Sequence, residues 1–553
     1  MRETGISNEE AMEFTVEEEK EEEERIQNLR SKATELLLRE EYKDSIKTYS
    51  QIIFLCQESI SKTDPKSSQS RLSNIKRTLC LAFSNRAEAW ARQSEFSVAL
   101  RDCEAALSIE KSHFKTLLCK GKILLSLNRY GAALDCFKQA NLDPHATENS
   151  DMVNGLLKKC KKLKSLSRGG TFDISDWVLG GYRGKTPELA EYIGPVEIKK
   201  SEISGRGLFA TRNVESGTLM VVTRAVAVDR AIMPQDSGEN AHLVIWKNFI
   251  DKVVETAKKC EHVSSLISFL STGECEDERA LEAPDMEVFR SEAEVGIGNV
   301  GGRVDNERLR SILDVNSVLE DAISAKILGK NADYQGVGLW ILASFINHSC
   351  DPNVRRVHVG DYMVVHAARD VKAGEELTLA YFDVLAPREK RREMADNWGF
   401  VCGCKRCLFE DGVCFKNDMR EMEMAMGKGV VDVGSLVYRL EEGMRRWMVR
   451  GRGKGYLRAS FWEAYGKVLG SEKVMRKWGR KIPAAEAVVE SVVQAAGSHE
   501  RIVRVLLEGL RRGAGGVNGV VEMEKVIKLG RGLYGKMMKK QAIGALLQID
   551  GKE

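Results

Sequence analysis

The chain has 553 residues, 43% of them hydrophobic and 30% charged, and its 84 Lys and Arg nearly cancel 81 Asp and Glu to leave a formal charge of +3. That length exceeds what one core organises and predicts about three domains. The near balance of charge implies no whole-molecule attraction to nucleic acid, and no apolar run approaches the ~20 residues that span a bilayer.

The acidic start, with Glu17 to Glu24 nearly all Glu, lacks the pattern of a secretory or transit peptide. This predicts a protein of the cytoplasm and/or nucleus, with its 13 cysteines mostly reduced. Residues 1–24 read as a disordered acidic leader. From 25 to 166 the pattern is helical and repeats itself: Tyr130, Ala133, Leu134 and Phe137 lie 34 residues after Phe96, Ala99, Leu100 and Cys103. Ala33, Tyr42 and Ile46 precede Ala87, Phe96 and Leu100 by 54, one period plus a polar insert around Ser59 to Lys76. A 34-residue period with small residues at the helix crossings is the tetratricopeptide signature, here in three copies with a capping helix at Met152 to Leu166. Cys56, Cys80, Cys103, Cys119, Cys136 and Cys160 fall within these patterns and read as small buried hydrophobes.

Residues 167–195 hold several Gly and two Pro and read as a linker. The next domain, 196–414, shows strand-like runs at Val196 to Ile198, Gly207 to Ala210 and Leu219 to Val228. Strand character returns over 339–382, around a helical, polar insert at about 230–335. Leu339 to Ile346 has the length of a buried strand or short helix. Residues 415–553 carry amphipathic segments, including Val433 to Met448, Ala485 to Leu510 and Val520 to Met538, and predict a helical C-terminal domain.

Chemistry concentrates at four places: Ser204-Gly205-Arg206-Gly207, Asn347-His348-Ser349-Cys350-Asp351-Pro352-Asn353, the run Glu375 to Tyr381, and Cys402-Gly403-Cys404-Lys405-Arg406-Cys407. The last supplies three thiolates on a tight loop, one short of a closed tetrahedral zinc site, and Cys350 is a candidate fourth. A redox or accidental cluster is the competing reading. The two glycines at 205 and 207 permit positive φ and close backbone approach to a ligand.

In this order the four motifs resemble the SET-domain protein lysine methyltransferases, and among them the SET and MYND (SMYD-like) enzymes. The insert contains only Cys260 and Cys275, too few for a MYND finger. The resemblance implies a multidomain α+β chain: an all-α tetratricopeptide solenoid, a mostly-β SET domain with a zinc-bound tail at 398–407, and a helical C-terminal domain. It also implies an S-adenosylmethionine pocket made by Gly205, Arg206, Gly207, Ser344, Asn347, His348, Tyr381 and Phe400, with His348 meeting the adenine mainly through backbone. Tyr381 corresponds to the reactive-centre tyrosine, Trp398 joins it beside the lysine channel where relatives often carry tyrosine, and structural zinc would sit on Cys350, Cys402, Cys404 and Cys407. The substrate would be a lysine side chain of a histone or other protein. The repeats would recruit a protein partner, a chaperone's acidic tail among the candidates if Arg86, Lys120 and Lys122 line the groove. A repeat scaffold with an inactive SET domain is the alternative.

Overall fold

An aromatic residue opens every second helix of the N-terminal unit. The computed structural model describes residues 8–62, 69–143, 149–232, 240–273, 282–290, 305–321, 323, 334–427, 432–512 and 517–547. The first helices are α1 (Asn8–Leu38), α2 (Tyr42–Lys62), α3 (Gln69–Arg92), α4 (Phe96–Ile109), α5 (Phe114–Ser126), α6 (Tyr130–Ala140) and α7 (Ser150–Gly169). Tyr42, Phe96 and Tyr130 begin α2, α4 and α6, so the sequence period is the period of helix pairs, and α7 follows the third pair. The insert around Ser59 to Lys76 is largely absorbed by longer helices: α2 and α3 have 21 and 24 residues against 14 for α4.

The acidic leader corrects the disordered reading. Asn8–Leu38 is one helix, because a Glu-rich run has good helix propensity and Arg71 faces Glu22 and Glu23 at 3.9 and 3.4 Å. Residues 1–7 lie outside the described residues. Of the basic residues considered for the groove, Arg86 is ion-paired: its guanidinium donates to both carboxylate oxygens of Asp102 at 2.7 and 2.8 Å and to Ser50 Oγ at 2.9 Å. Lys120 stands 3.6 Å from Glu104, while Lys122 is exposed.

The chain divides into two compact units, one of Met1–Ser165 with Ala257–His262 and Ser291–Glu294, the other of Leu166–Thr256, Val263–Arg290 and Val295–Glu553. In the second, strands β1 (Tyr192–Ile193), β2 (Val196–Lys200), β3 (Arg206–Ala210), β4 (Leu219–Arg224), β5 (Val228–Ile232), β6 (Val318–Leu319), β7 (Tyr334–Gly338), β8 (Asn347–His348), β9 (Val354–Val359), β10 (Tyr362–Ala367) and β11 (Thr378–Leu379) form small sheets. Their orders are β1-β4-β10-β9, β2-β3, β5-β7-β6 and β11-β8. The buried β-branched runs Val221-Val222 and Val364-Val365 face one another in register on β4 and β10. Antiparallel β5 and β7 close the base of the insert, whose described helices are Asn240–Lys259, Glu261–Ser268 and Asn306–Asn316. Leu342–Phe345 is a short 3-10 helix.

The expected linker is built into this unit. Phe172, Ile174, Val178 and Leu189 are buried, β1 pairs with β4, and the Ile174 N–H donates to Met537 O at 3.0 Å. The C-terminal helices also belong to it, since Leu436, Leu440, Trp462, Tyr465 and Val492 share one core with Cys350, Cys402 and Cys407. No described helix is long and apolar enough to cross a membrane.

One glycine carries a prediction. A Cβ on Gly121 in α5 would sit 2.5 Å from the Phe137 ring of α6. One period earlier, Ala87 shares its cluster with the smaller Cys103, so the third pair exchanges a methyl for an aromatic ring. Gly121→Ala would gain about 1 kcal/mol of helix propensity but overpack by ~1–3 kcal/mol. We expect net destabilisation, read as a lower urea midpoint; a raised midpoint would contradict the contact.

Candidate active site and metal centre

Parallel pairing of β8 with β11 sets Thr378 opposite Asn347 and Leu379 opposite His348, so residues 31 positions apart lie side by side. Leu377 N–H donates to Leu208 O at 2.7 Å, which brings β3 against the same segment. The Asn347 side chain then joins the parts. Its Nδ2 donates among Ser204 O at 3.1 Å, Arg206 O at 3.2 Å, Ser201 Oγ at 3.1 Å and Glu376 Oε1 at 2.8 Å. Ser201 Oγ donates to both Glu376 oxygens at 2.8 and 2.9 Å. Gly207 is required beside this carboxylate, because a Cβ there would overlap Glu376 Oε1. Gly205 adopts φ of +45°, in the turn that Asn347 grips.

His348 is buried, and burial pushes its ring down to about 4, so it is neutral. Tyr381 N–H donates to His348 Nδ1 at 3.1 Å, which leaves the ring proton on Nε2, 3.4 Å from Cys350 Sγ. The imidazole therefore bridges the tyrosine backbone and a sulfur of the cysteine cluster. The Tyr381 hydroxyl donates to Ile346 O at 2.8 Å, and burial pushes it up to about 12, so it keeps its proton. Around these groups stand Phe382, 4.2 Å from the His348 ring centroid, Phe400 at 5.4 Å from the same ring, and Trp398 at 5.2 Å from the Tyr381 ring. Trp398 is 47% exposed and forms an outer rim.

Two expected pocket residues are otherwise engaged. Ser344 Oγ donates to Trp340 O at 3.2 Å. The Arg206 guanidinium donates to Phe269 O and lies 5.2 Å over the Phe345 ring.

The sulfurs of Cys350, Cys402, Cys404 and Cys407 all lie within 4.8 Å of one another, with Cys350 and Cys402 at 3.9 Å. A tetrahedral zinc with bonds of ~2.3 Å needs sulfurs ~3.8 Å apart, so the donor set fits that ion. Hydrogen bonding from Cys350 draws Cys404 toward the thiolate, and Cys404 also caps the helix Lys405–Gly412. Behind the sulfurs, Arg391 Nη1 donates to Cys407 Sγ at 3.3 Å, and Arg406 Nη1 donates to Cys350 O at 3.2 Å and Val384 O at 2.6 Å. Both arginines are buried on Glu410. Two guanidinium groups against one carboxylate leave a buried positive charge, which would partly offset the net negative charge of a divalent ion on four thiolates. This charge balance supports the metal reading over a redox pair.

Sequence reasoning missed Ser201, Glu376, Arg391, Arg406 and Glu410. Arg406 and Glu410 stand at i and i+4 on a helix, a spacing that reads as a surface pair until burial is known. Ser201 carries no pattern of its own.

The comparisons agree with this geometry. Residues 205–382 match the family described as SET domain. A protein of Gibberella zeae named "Methyltransferase" is 27% identical over 355 residues, 59% of this chain and 46% of that protein. The "Histone-lysine N-methyltransferase SMYD3" of Mus musculus is 45% identical over 84 residues, 15% of this chain and 20% of that protein. The chain thus spans less than half the length of these curated relatives. The solved SET domain of LSMT bound to lysine and AdoHcy aligns over 68% of this chain and 90% of its own, at 13% identity and a TM-score of 0.21, too loosely to carry an argument. Residues 205–382 are a SET domain, and the chain is similar within 84 residues to a SMYD enzyme.

Proposed function

We propose that the chain is an S-adenosylmethionine-dependent protein-lysine N-methyltransferase, acting on a histone or other protein in the cytoplasm and/or nucleus, with its helical repeats recruiting a protein partner. The observation that carries this reading is one dipeptide with two grips. Asn347 holds the Ser204 to Arg206 turn, and His348 next to it holds Tyr381. A donor bound on the turn is thereby placed beside the phenol.

S-adenosylmethionine supplies a methyl group on a positive sulfonium. The chain must present a neutral amine to it, in line and away from water. Free lysine titrates near ~10.4, and desolvation among Tyr381, Phe382, Phe400 and Trp398 disfavours its charged form. Tyr381 is no base: its hydroxyl keeps its proton and is tethered to Ile346 O, so it orients the amine and the methyl group electrostatically. Cys350, Cys402, Cys404 and Cys407 would hold a structural zinc that fixes Phe400 and Trp398 over the site.

Methyl transfer from labelled cofactor to mixed protein substrates tests the reading. Tyr381→Phe should retain cofactor binding and lose on the order of 10²–10³ in turnover; equal incorporation by both proteins would remove Tyr381 from the mechanism. Because the phenol sits near 12, the rate should rise by about one decade per pH unit while the amine deprotonates, with no second break before pH 10. A break between pH 7 and 9 that vanishes in Tyr381→Phe would show that the tyrosine ionises.

The imidazole bridge is tested by two amides. Asparagine at 348 can accept from the Tyr381 N–H in place of Nδ1, whereas glutamine can reach Cys350 in place of Nε2. His348→Asn should keep turnover and shift the absorption of a cobalt-substituted cysteine site. His348→Gln should keep that absorption and lose ~10-fold or more in turnover, as outer-shell partners do. Identical effects of both variants on both readouts would sink the bridge.

A further inference from the structure

Cys80, Glu110 and His113 meet at a corner of the N-terminal unit that the methyl-transfer reading does not use. Cys80 lies in α3, Glu110 caps the C-terminus of α4 and His113 caps the N-terminus of α5. One sulfur, one carboxylate oxygen and one ring nitrogen lie within 4.8 Å of one another. The His113 N–H donates to Glu110 O at 3.2 Å, so both side chains spring from the two ends of one hydrogen-bonded turn. Cys80 approaches from the opposite side and donates to Ala106 O at 3.5 Å.

Three further observations favour a cation here. His113 Nδ1 is 2.6 Å from Thr116 Oγ1, a buried hydroxyl that fixes the ring, as outer-shell partners of metal-bound histidines do. The carbonyl end of α4 points at the same place, and a helix C-terminus carries negative partial charge. The sulfur is buried while Glu110 is exposed and His113 half-buried, so an ion enters from solvent over the turn and reaches a sheltered thiol.

We infer that Cys80, Glu110 and His113 form a second zinc(II) site, with water as fourth ligand, that staples the second helix pair to the third. The donor set selects the ion: one sulfur, one imidazole and one carboxylate suit zinc and not magnesium or calcium, which take oxygen alone. Ligands of a tetrahedral zinc stand ~3.5 Å apart, so a small movement of the exposed carboxylate and of the turn that carries it closes the shell. Binding would release the Cys80 proton to solvent and give up its hydrogen bond to Ala106 O, as the thiolate, imidazole, carboxylate and one water bond the ion.

The test is cobalt titration of the full-length chain, followed by its sulfur-to-metal charge-transfer absorption, in wild type, Cys80→Ser and His113→Gln. The four-cysteine site takes cobalt and absorbs in all three proteins, so the readout is the increment. Wild type should bind one cobalt more than Cys80→Ser, and that extra equivalent should add charge-transfer intensity that the variant lacks. His113→Gln alters only the half-buried turn; it should keep the fold by circular dichroism and weaken the extra cobalt at least tenfold. Zinc added beforehand should remove that added intensity. The same cobalt stoichiometry and the same spectrum in all three proteins would overturn the site. Extra cobalt bound without added charge-transfer intensity would overturn it too, since the Cys80 sulfur would then take no part.

Discussion

A single side-chain amide holds the SET core's site together. Asn347 Nδ2 has two hydrogens and four acceptors within 3.2 Å, drawn from two segments far apart in sequence, Ser201 to Arg206 and Glu376. Sharing of this kind works only where the acceptors are already fixed, and they are. β2 and β3 form a hairpin, β11 runs parallel to β8, and Glu376 is itself held by Ser201. A hydrogen bond to a charged acceptor contributes about 1.5–3 kcal/mol, yet its value here is positional. It sets the spacing between the glycine turn and the strand that leads to Tyr381.

His348 extends that grip to the sulfurs. Once its Nδ1 has accepted from Tyr381, the remaining N–H faces Cys350, so the tautomer follows from the backbone bond and needs no separate assumption. The cysteine cluster, the imidazole and the phenol form one contiguous chain of contacts. The C-terminal helices support it from below: Arg452 and Tyr456 reach Asp351 at 2.9 and 3.0 Å, and Ser460 donates to Glu410 at 2.7 Å. The residue after Cys350 is thus tied to a helix a hundred positions later.

Much of this was legible. The 34-residue period gave the helix pairs because an aromatic must fill the same crossing each time, and four short motifs gave the residues that converge. Burial and long-range docking were not legible. Glu17 to Glu24 has the composition of a disordered tail, but the same glutamates favour a helix once α1 continues and Arg71 faces them. Residues 167–195 look like a linker because strands of two residues, such as β1, leave no periodicity. Arg86 reads as a free groove cation because its partner Asp102 lies on another helix. In each case the deciding contact lies outside the window in which a pattern can be seen.

The two sides of the site are held by different physics. The glycine turn and Tyr381 are positioned by backbone pairing and by the Asn347 amide, which depend on neither metal nor redox state. The opposite side carries Trp398 and Phe400, whose backbone N–H groups bond to the end of the helix Arg388–Asn397, and continues through residues 401–404, a stretch without regular hydrogen-bonded structure. Such a segment has no ladder to fix it and must be anchored through side chains. Its anchors are the three tail cysteines, the bonds from Arg391 and Arg406, and the tilted contact of the Phe400 ring with His348. Loss of sulfur ligation would therefore free the aromatic rim while leaving the turn and the phenol in place. His348 belongs to both sides, and for that reason its two ring nitrogens do separable work.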